Sequence, residues 1–113
     1  MAEIGYTETK LNWQERAVVW SNISESDSSR EFGLGGMVAE ISVQVIGAFS
    51  GGTIVLEGSN NGTDYSDLKQ LDGTLATAAV PAIMALLDRP LFIRPRVGGG
   101  TGQSITVNMV VRR

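Results

Sequence analysis

The sequence predicts an all-β protein: an antiparallel β-sandwich with jelly-roll or Greek-key connections, preceded by an N-terminal arm. Three observations carry that expectation. Apolar residues recur at every second position in segments 40–49, 91–97 and 103–111, which is the period of a half-buried strand. Runs of Gly, Ser, Asn and Asp, the residues that turn a chain, separate these segments. The chain is 113 residues long with 14 glycines, which suits many tight connections around one small core.

The elements follow in order. Residues 1–15 are polar with scattered apolar positions at Ile4, Tyr6, Leu11 and Trp13, and read as an arm or a first strand. The sandwich domain is expected over 16–113. It opens with "RAVVWSNI", residues 16–23, whose β-branched content favours a strand. Residues 24–36, "SESDSSREFGLGG", read as a loop. Thirteen residues is long for a compact domain, and such loops are commonly functional.

In "EISVQVIGAF" Ile41, Val43, Val45 and Phe49 alternate with Glu40, Ser42 and Gln44. "SGG" then turns the chain, and "TIVLEG" returns with Ile54 and Leu56 inward and Thr53 and Glu57 outward. Residues 40–58 therefore read as a β-hairpin. "DYSDLKQL" is a weaker strand. The Ala and Leu content of "DGTLATAAVPAIMALLD" favours helix, and Pro81 interrupts it, so a helical turn is expected near 82–87. "LFIRPRV" alternates again, with Pro95 restricted to an edge or bulge. "QSITVNMVV" closes the chain with Ile105, Val107, Met109 and Val111 on one face.

Composition removes whole classes of chemistry. The chain has no cysteine and no histidine, so disulfides, thiolate metal sites, cysteine nucleophiles and a Ser-His-Asp triad are all excluded. The expectation is a non-enzymatic protein without cofactor or metal. No apolar stretch of 18 residues occurs, so no membrane-spanning helix is expected. "MAEIGYTETK" lacks the basic start and apolar core of a secretory signal, and the expected site of synthesis is a cytoplasm.

Charge is unevenly placed. Residues 1–40 carry seven acids and three bases, residues 41–88 five acids and one base, and residues 89–113 five arginines and no acid. Such a basic block can bind phosphates. Single-stranded nucleic acid would call for interleaved aromatics, and only Phe92 lies there, so no nucleic-acid partner is expected. Two readings remain for the arginines. They pair with carboxylates inside the chain or between subunits, or they form a binding face. Arg outnumbers Lys seven to two, and Arg is the charge preferred at interfaces.

The candidate partner-binding residues are Arg94 and Arg96 on one strand face, Arg112 and Arg113 at the end of the sequence, and Arg30 in the long loop. Trp13, Trp20 and Phe32 join them, since they flank that loop and can either anchor a partner or cap the core. In "LEGSNNGTDYSDL", residues 56–68, Asn60, Asn61, Asp64 and Asp67 offer oxygen ligands. The spacing is not that of an EF-hand, and an Asn-Gly turn between strands accounts for it better. Asp64, Asp67 and Asp88 are too few and too solvated to suggest paired-carboxylate catalysis.

"ISVQVIGAFSGGTIVLEGSNNGTDYSDL", followed by "RPLFIRPRVGGGTGQSITVNMVVRR", resembles small structural proteins of tailed bacteriophages, most of all the head decoration or cement proteins. The resemblance covers residues 41–113. It implies a β-sandwich that assembles as a dimer or trimer in the virion, binds the major capsid protein on the outer capsid surface, and braces the expanded head. The same stretch "LEGSNNGTDYSDL" also resembles a strand-turn-strand of discoidin-like carbohydrate-binding modules, with Tyr65 nearest the aromatic position and Asn61 in place of the acid. That resemblance implies a glycan-binding module on a phage or bacterial surface.

Overall fold

The structure, a computed structural model, describes residues 3–35 and 38–113. It is all-β, with two antiparallel five-stranded sheets packed together and one small parallel pair of two-residue strands, so the sandwich expected from periodicity is the architecture. No helix among the described residues is long and apolar enough to cross a membrane. The strands are β1 (Glu3–Ile4), β2 (Tyr6–Lys10), β3 (Glu15–Ile23), β4 (Ser28–Ser29), β5 (Phe32–Gly33), β6 (Glu40–Ala48), β7 (Thr53–Ser59), β8 (Ser66–Asp67), β9 (Thr77–Ala78), β10 (Ala82–Ala85), β11 (Phe92–Gly98) and β12 (Ser104–Arg112).

The first sheet has the order β10-β6-β12-β3-β2. The second has the order β5-β11-β7-β8, with β9 also on β7. After β3 the chain alternates between them: β5 in the second sheet, β6 in the first, β7 in the second, β10 in the first, β11 in the second and β12 in the first. This weaving corrects the expected 40–58 hairpin. β6 pairs β12 and β10, and β7 pairs β11, β8 and β9. The turn at Phe49 to Gly52, closed by the Gly52 N–H on the Phe49 carbonyl at 2.7 Å, carries the chain across the sandwich. Gly47 starts the crossing at φ 112°. A Cβ there would strike the Ser104 carbonyl, so the position requires glycine twice over.

Two other expectations change. Residues 82–87 begin with strand β10, paired with β6 from Ala82↔Val45 to Ala85↔Ser42. Tertiary pairing overrides the helical preference of alanine there. Loop 24–36 contains β4 and β5 and delivers Phe32 and Leu34 to the core; Gly36 lies outside the described residues. In the segment read as an arm or a first strand, β1 pairs β4 in parallel and β2 pairs β3 as an antiparallel edge strand; Met1 and Ala2 lie outside the described residues.

The core fills the space between the sheets. Trp20, Ile23, Val43, Val45, Ile105, Val107 and Met109 of the first sheet meet Ile54, Leu56 and Ile93 of the second, all ten fully buried. Tyr6 stands edge-on to both Trp20 and Phe32, with centroids 5.7 and 5.3 Å apart, a favoured aromatic geometry. Pro95 sits opposite Leu56 in the β11–β7 ladder. Leu56 directs its N–H to Ala76 and its carbonyl to Leu68, away from β11. Pro95 therefore points its nitrogen off the outer side of β11, beyond the two residues that pair β5, and no ladder bond is lost.

Candidate partner-binding surfaces

The arginines of β11 face outward, as alternation requires. Their cross-strand neighbour is decisive: Arg94 pairs Glu57 in the register, with Arg96 two positions along. Arg94 Nε donates to Glu57 Oε1 at 2.7 Å and Arg96 Nε to Oε2 at 3.0 Å, so one carboxylate bridges two guanidiniums. Arg96 also reaches Asp67 at 3.2 Å. Arg94 lies over the Tyr65 ring, 3.6 Å from its centroid, a cation–π contact. These groups roof Glu57 so fully that its side chain is only 8% exposed. The hydrogen bond to Glu57, above all, raises the Arg96 pKa, and burial raises that of Tyr65. Beside the cluster is a cleft of about 150 Å³ lined in part by Asp27, Ser28 and Ser29.

A second cluster lies at one end of the first sheet, where the register aligns Glu15, Arg112 and Glu40 across β3, β12 and β6. Arg112 Nε donates to Glu15 at 2.7 Å, and its Nη1 is 3.9 Å from Glu40. The Glu15 carboxyl also accepts from Asn12 Nδ2 at 2.8 Å. Asn12 first and then Arg112 hold it below its ordinary value of 4.5. A depressed carboxyl contributes stability that is present above its unfolded value and lost as pH falls through its lower folded value. Stability is therefore expected to decline on acidification below about 4.5, the ordinary value of Glu15. Asp72, held down by the Thr74 hydroxyl, acts in the same direction. Thermal melts between pH 6 and pH 3 check this, and Glu15→Gln should flatten part of the decline.

The structure separates the remaining candidates. Trp20 and Phe32 are core residues, 0% and 3% exposed, which corrects their assignment as partner anchors. Trp20 is held from inside, its indole N–H donating to the Arg30 carbonyl at 2.9 Å. The Arg30 side chain is solvent-facing and pairs Glu3 at 3.1 Å. Arg113 is exposed, its backbone N–H bonded to the Gln14 carbonyl. Trp13 stands apart at 79% exposed, at the tip of the β2–β3 hairpin beside Leu11 at 55%.

In the 59–64 turn the polar groups face inward on one another. Asn61 Oδ1 accepts from the N–H groups of Thr63 and Asp64, Asn61 Nδ2 donates to Asp64, and Asn60 Oδ1 accepts from the Leu91 N–H. Gly62 takes φ 78°, the positive value for which an Asn-Gly turn selects glycine. The oxygens that suggested a cation thus already have protein partners: those of Asn61 and Asp64 within the turn, Asn60 the Leu91 N–H and Asp67 Arg96. Asp64, Asp67 and Asp88 are held separately, by Asn61, Arg96 and the Lys69 N–H. No cluster of three or more acids suited to a metal occurs among the described residues.

What sequence reasoning missed is Glu57. Alternation places it outward and leaves it looking solvated. Its signal is the pairing of an outward acid with an outward R-P-R, which requires knowing that β7 and β11 are neighbours.

No protein-family model matches the chain, and no curated protein matches it in sequence. Among solved structures its fold is similar to that of SPBc2 prophage-derived protein YomS, with a TM-score of 0.63 at 14% identity, covering 93% of this chain and 100% of that one. The likeness establishes a shared fold. Protein NMB1881 from Neisseria meningitidis aligns over 91% of this chain and 79% of its own, with a TM-score of 0.34 at 10% identity, too low to relate the two folds.

Proposed function

We propose that this protein is a structural component of a phage virion, a decoration protein that binds the major capsid protein on the outer head surface. The observation that carries this reading is the fold likeness to a prophage-derived protein along the whole of both chains' common length. The surface chemistry fits. The β11 arginines are neutralised by carboxylates of the same chain, and the turn oxygens are engaged, so a ligand-binding cleft built on them has little to offer. What projects is apolar: Trp13, with Leu11, at a hairpin tip, the residue type that most often anchors a protein interface. A symmetric assembly of such subunits would bind by avidity, repeating one modest contact around a capsid axis.

Cosedimentation with expanded phage heads stripped of accessory proteins tests the reading. Saturation at a fixed, symmetry-related number of copies per head is expected, with weaker binding to unexpanded shells. Protein that stays in the supernatant at all concentrations removes the proposal. Trp13→Ala should weaken head binding about thirtyfold, the loss of about 2 kcal/mol at an anchor. Its melting temperature should stay that of the parent, because the ring packs against little within the subunit.

A further inference from the structure

The outer face of the first sheet carries an uncharged surface where a solvated face normally carries lysine and glutamate. The register defines it. One row runs straight across all five strands as Thr7, Val19, Asn108, Gln44 and Ile83, and the next as Thr9, Ala17, Val110, Ser42 and Ala85. Thr106 and Ile46 add a partial third row across β12 and β6. None of these twelve side chains is ionisable, in a chain where 19% of residues are charged. Charge returns only at one end, as the row of Glu15, Arg112 and Glu40. All twelve positions are exposed or half-buried, with Ile83 at 70% and Ile46 at 40%. A water-facing antiparallel sheet alternates apolar-in with polar-out and uses cross-strand ion pairs. Loss of charge with retention of Val, Ile and Thr is the composition of an interface centre.

We propose that this face is the homodimer interface, and that two copies stack first sheet to first sheet about a twofold axis. Two arguments select a second copy as the occupant. The first is electrostatic. In a twofold interface the patch meets itself, so any net charge on it would be doubled and repulsive. This protein has a net charge of −3, yet the face has none. The second is size. The five strands run from four residues in β10 and five in β2 to nine in β3, β6 and β12, about 4.8 Å apart with a rise of about 3.4 Å per residue. The resulting area of about 590 Å² is at the lower end of the roughly 600–1,000 Å² per partner of a stable interface. Stacked sheets also pack at a standard spacing of about 10 Å. The inference specifies the self-association in the proposed function and needs no capsid, so it is tested without one.

Sedimentation equilibrium of the purified chain, without phage heads, tests it alongside Gln44→Lys and Asn108→Lys. The parent should sediment at twice its 12.0 kDa chain mass. Each variant sets like charges against each other near the twofold axis. The dimer should weaken about a hundredfold, with circular dichroism and melting of the separated subunit unchanged. Gln44 is exposed and Asn108 half-buried, so a folding defect in the second leaves the first to decide. A monomeric parent overturns the proposal, as does a trimer, or a dimer that both lysines leave intact. A monomeric parent whose head binding is lost in Gln44→Lys would reassign the face to the shell.

Discussion

Trp20→Ala is expected to destabilise the subunit by about 4 kcal/mol, within the range for removing a large aromatic from a core, and to lower the melting temperature by about 15–20 °C. The side chain is fully buried and edge-on to Tyr6. Its neighbours in the first sheet are fixed by ladders on both sides: Trp20 faces Val107 on β12 and Tyr6 on β2. Strands held this way cannot collapse into the space that the indole leaves, so most of the cavity persists. The loss also reaches the 28–33 segment, because the indole N–H anchors the Arg30 carbonyl. Trp20→Phe should separate the two effects. It keeps most of the ring and gives up the hydrogen bond, at about 1 kcal/mol for the bond. Urea unfolding of both variants measures this, with the midpoint moving at constant slope. Unchanged stability in Trp20→Ala would return Trp20 to the partner-binding surface.

The second large effect belongs to Glu57. Glu57→Ala is expected to cost about 2 kcal/mol. The carboxylate is the shared acceptor of Arg94 and Arg96, and without it two guanidiniums on one strand face are left beside each other with Asp67 alone to offset them. The cost stays below the 3–5 kcal/mol of a fully buried pair because the Arg96 side chain is 51% exposed and water can solvate it. Arg94, 35% exposed and over Tyr65, carries more of the loss. A double-mutant cycle with Arg94→Ala should therefore give a larger coupling energy than one with Arg96→Ala. Equal stabilities for Glu57→Ala and the parent would mean that desolvating the carboxylate cancels its two hydrogen bonds.

The core faces of the long strands were legible in the sequence. Ile41, Val43 and Val45, then Ile93 and Val97, then Ile105, Val107, Met109 and Val111 all point where alternation puts them. Side-chain direction in a strand follows from the pleat of the backbone, and the pleat is local. The Asn61-Gly62 turn was legible for the same reason, since glycine supplies the positive φ within the turn itself.

Tertiary structure decided which strands meet. "EISVQVIGAF" and "TIVLEG" have the same alternation whether they pair as a hairpin or cross between sheets, because both arrangements turn the same residues toward the core. Only long-range pairing tells them apart. That same pairing made Ala82–Ala85 a strand against its own preference and drew Trp20 and Phe32 inside. It buried Glu57 under two arginines 37 and 39 residues away. The uncharged outer face has the same origin. Its side chains come from five separated segments, and neutrality becomes a surface property only when the register of β2, β3, β12, β6 and β10 lays them in rows.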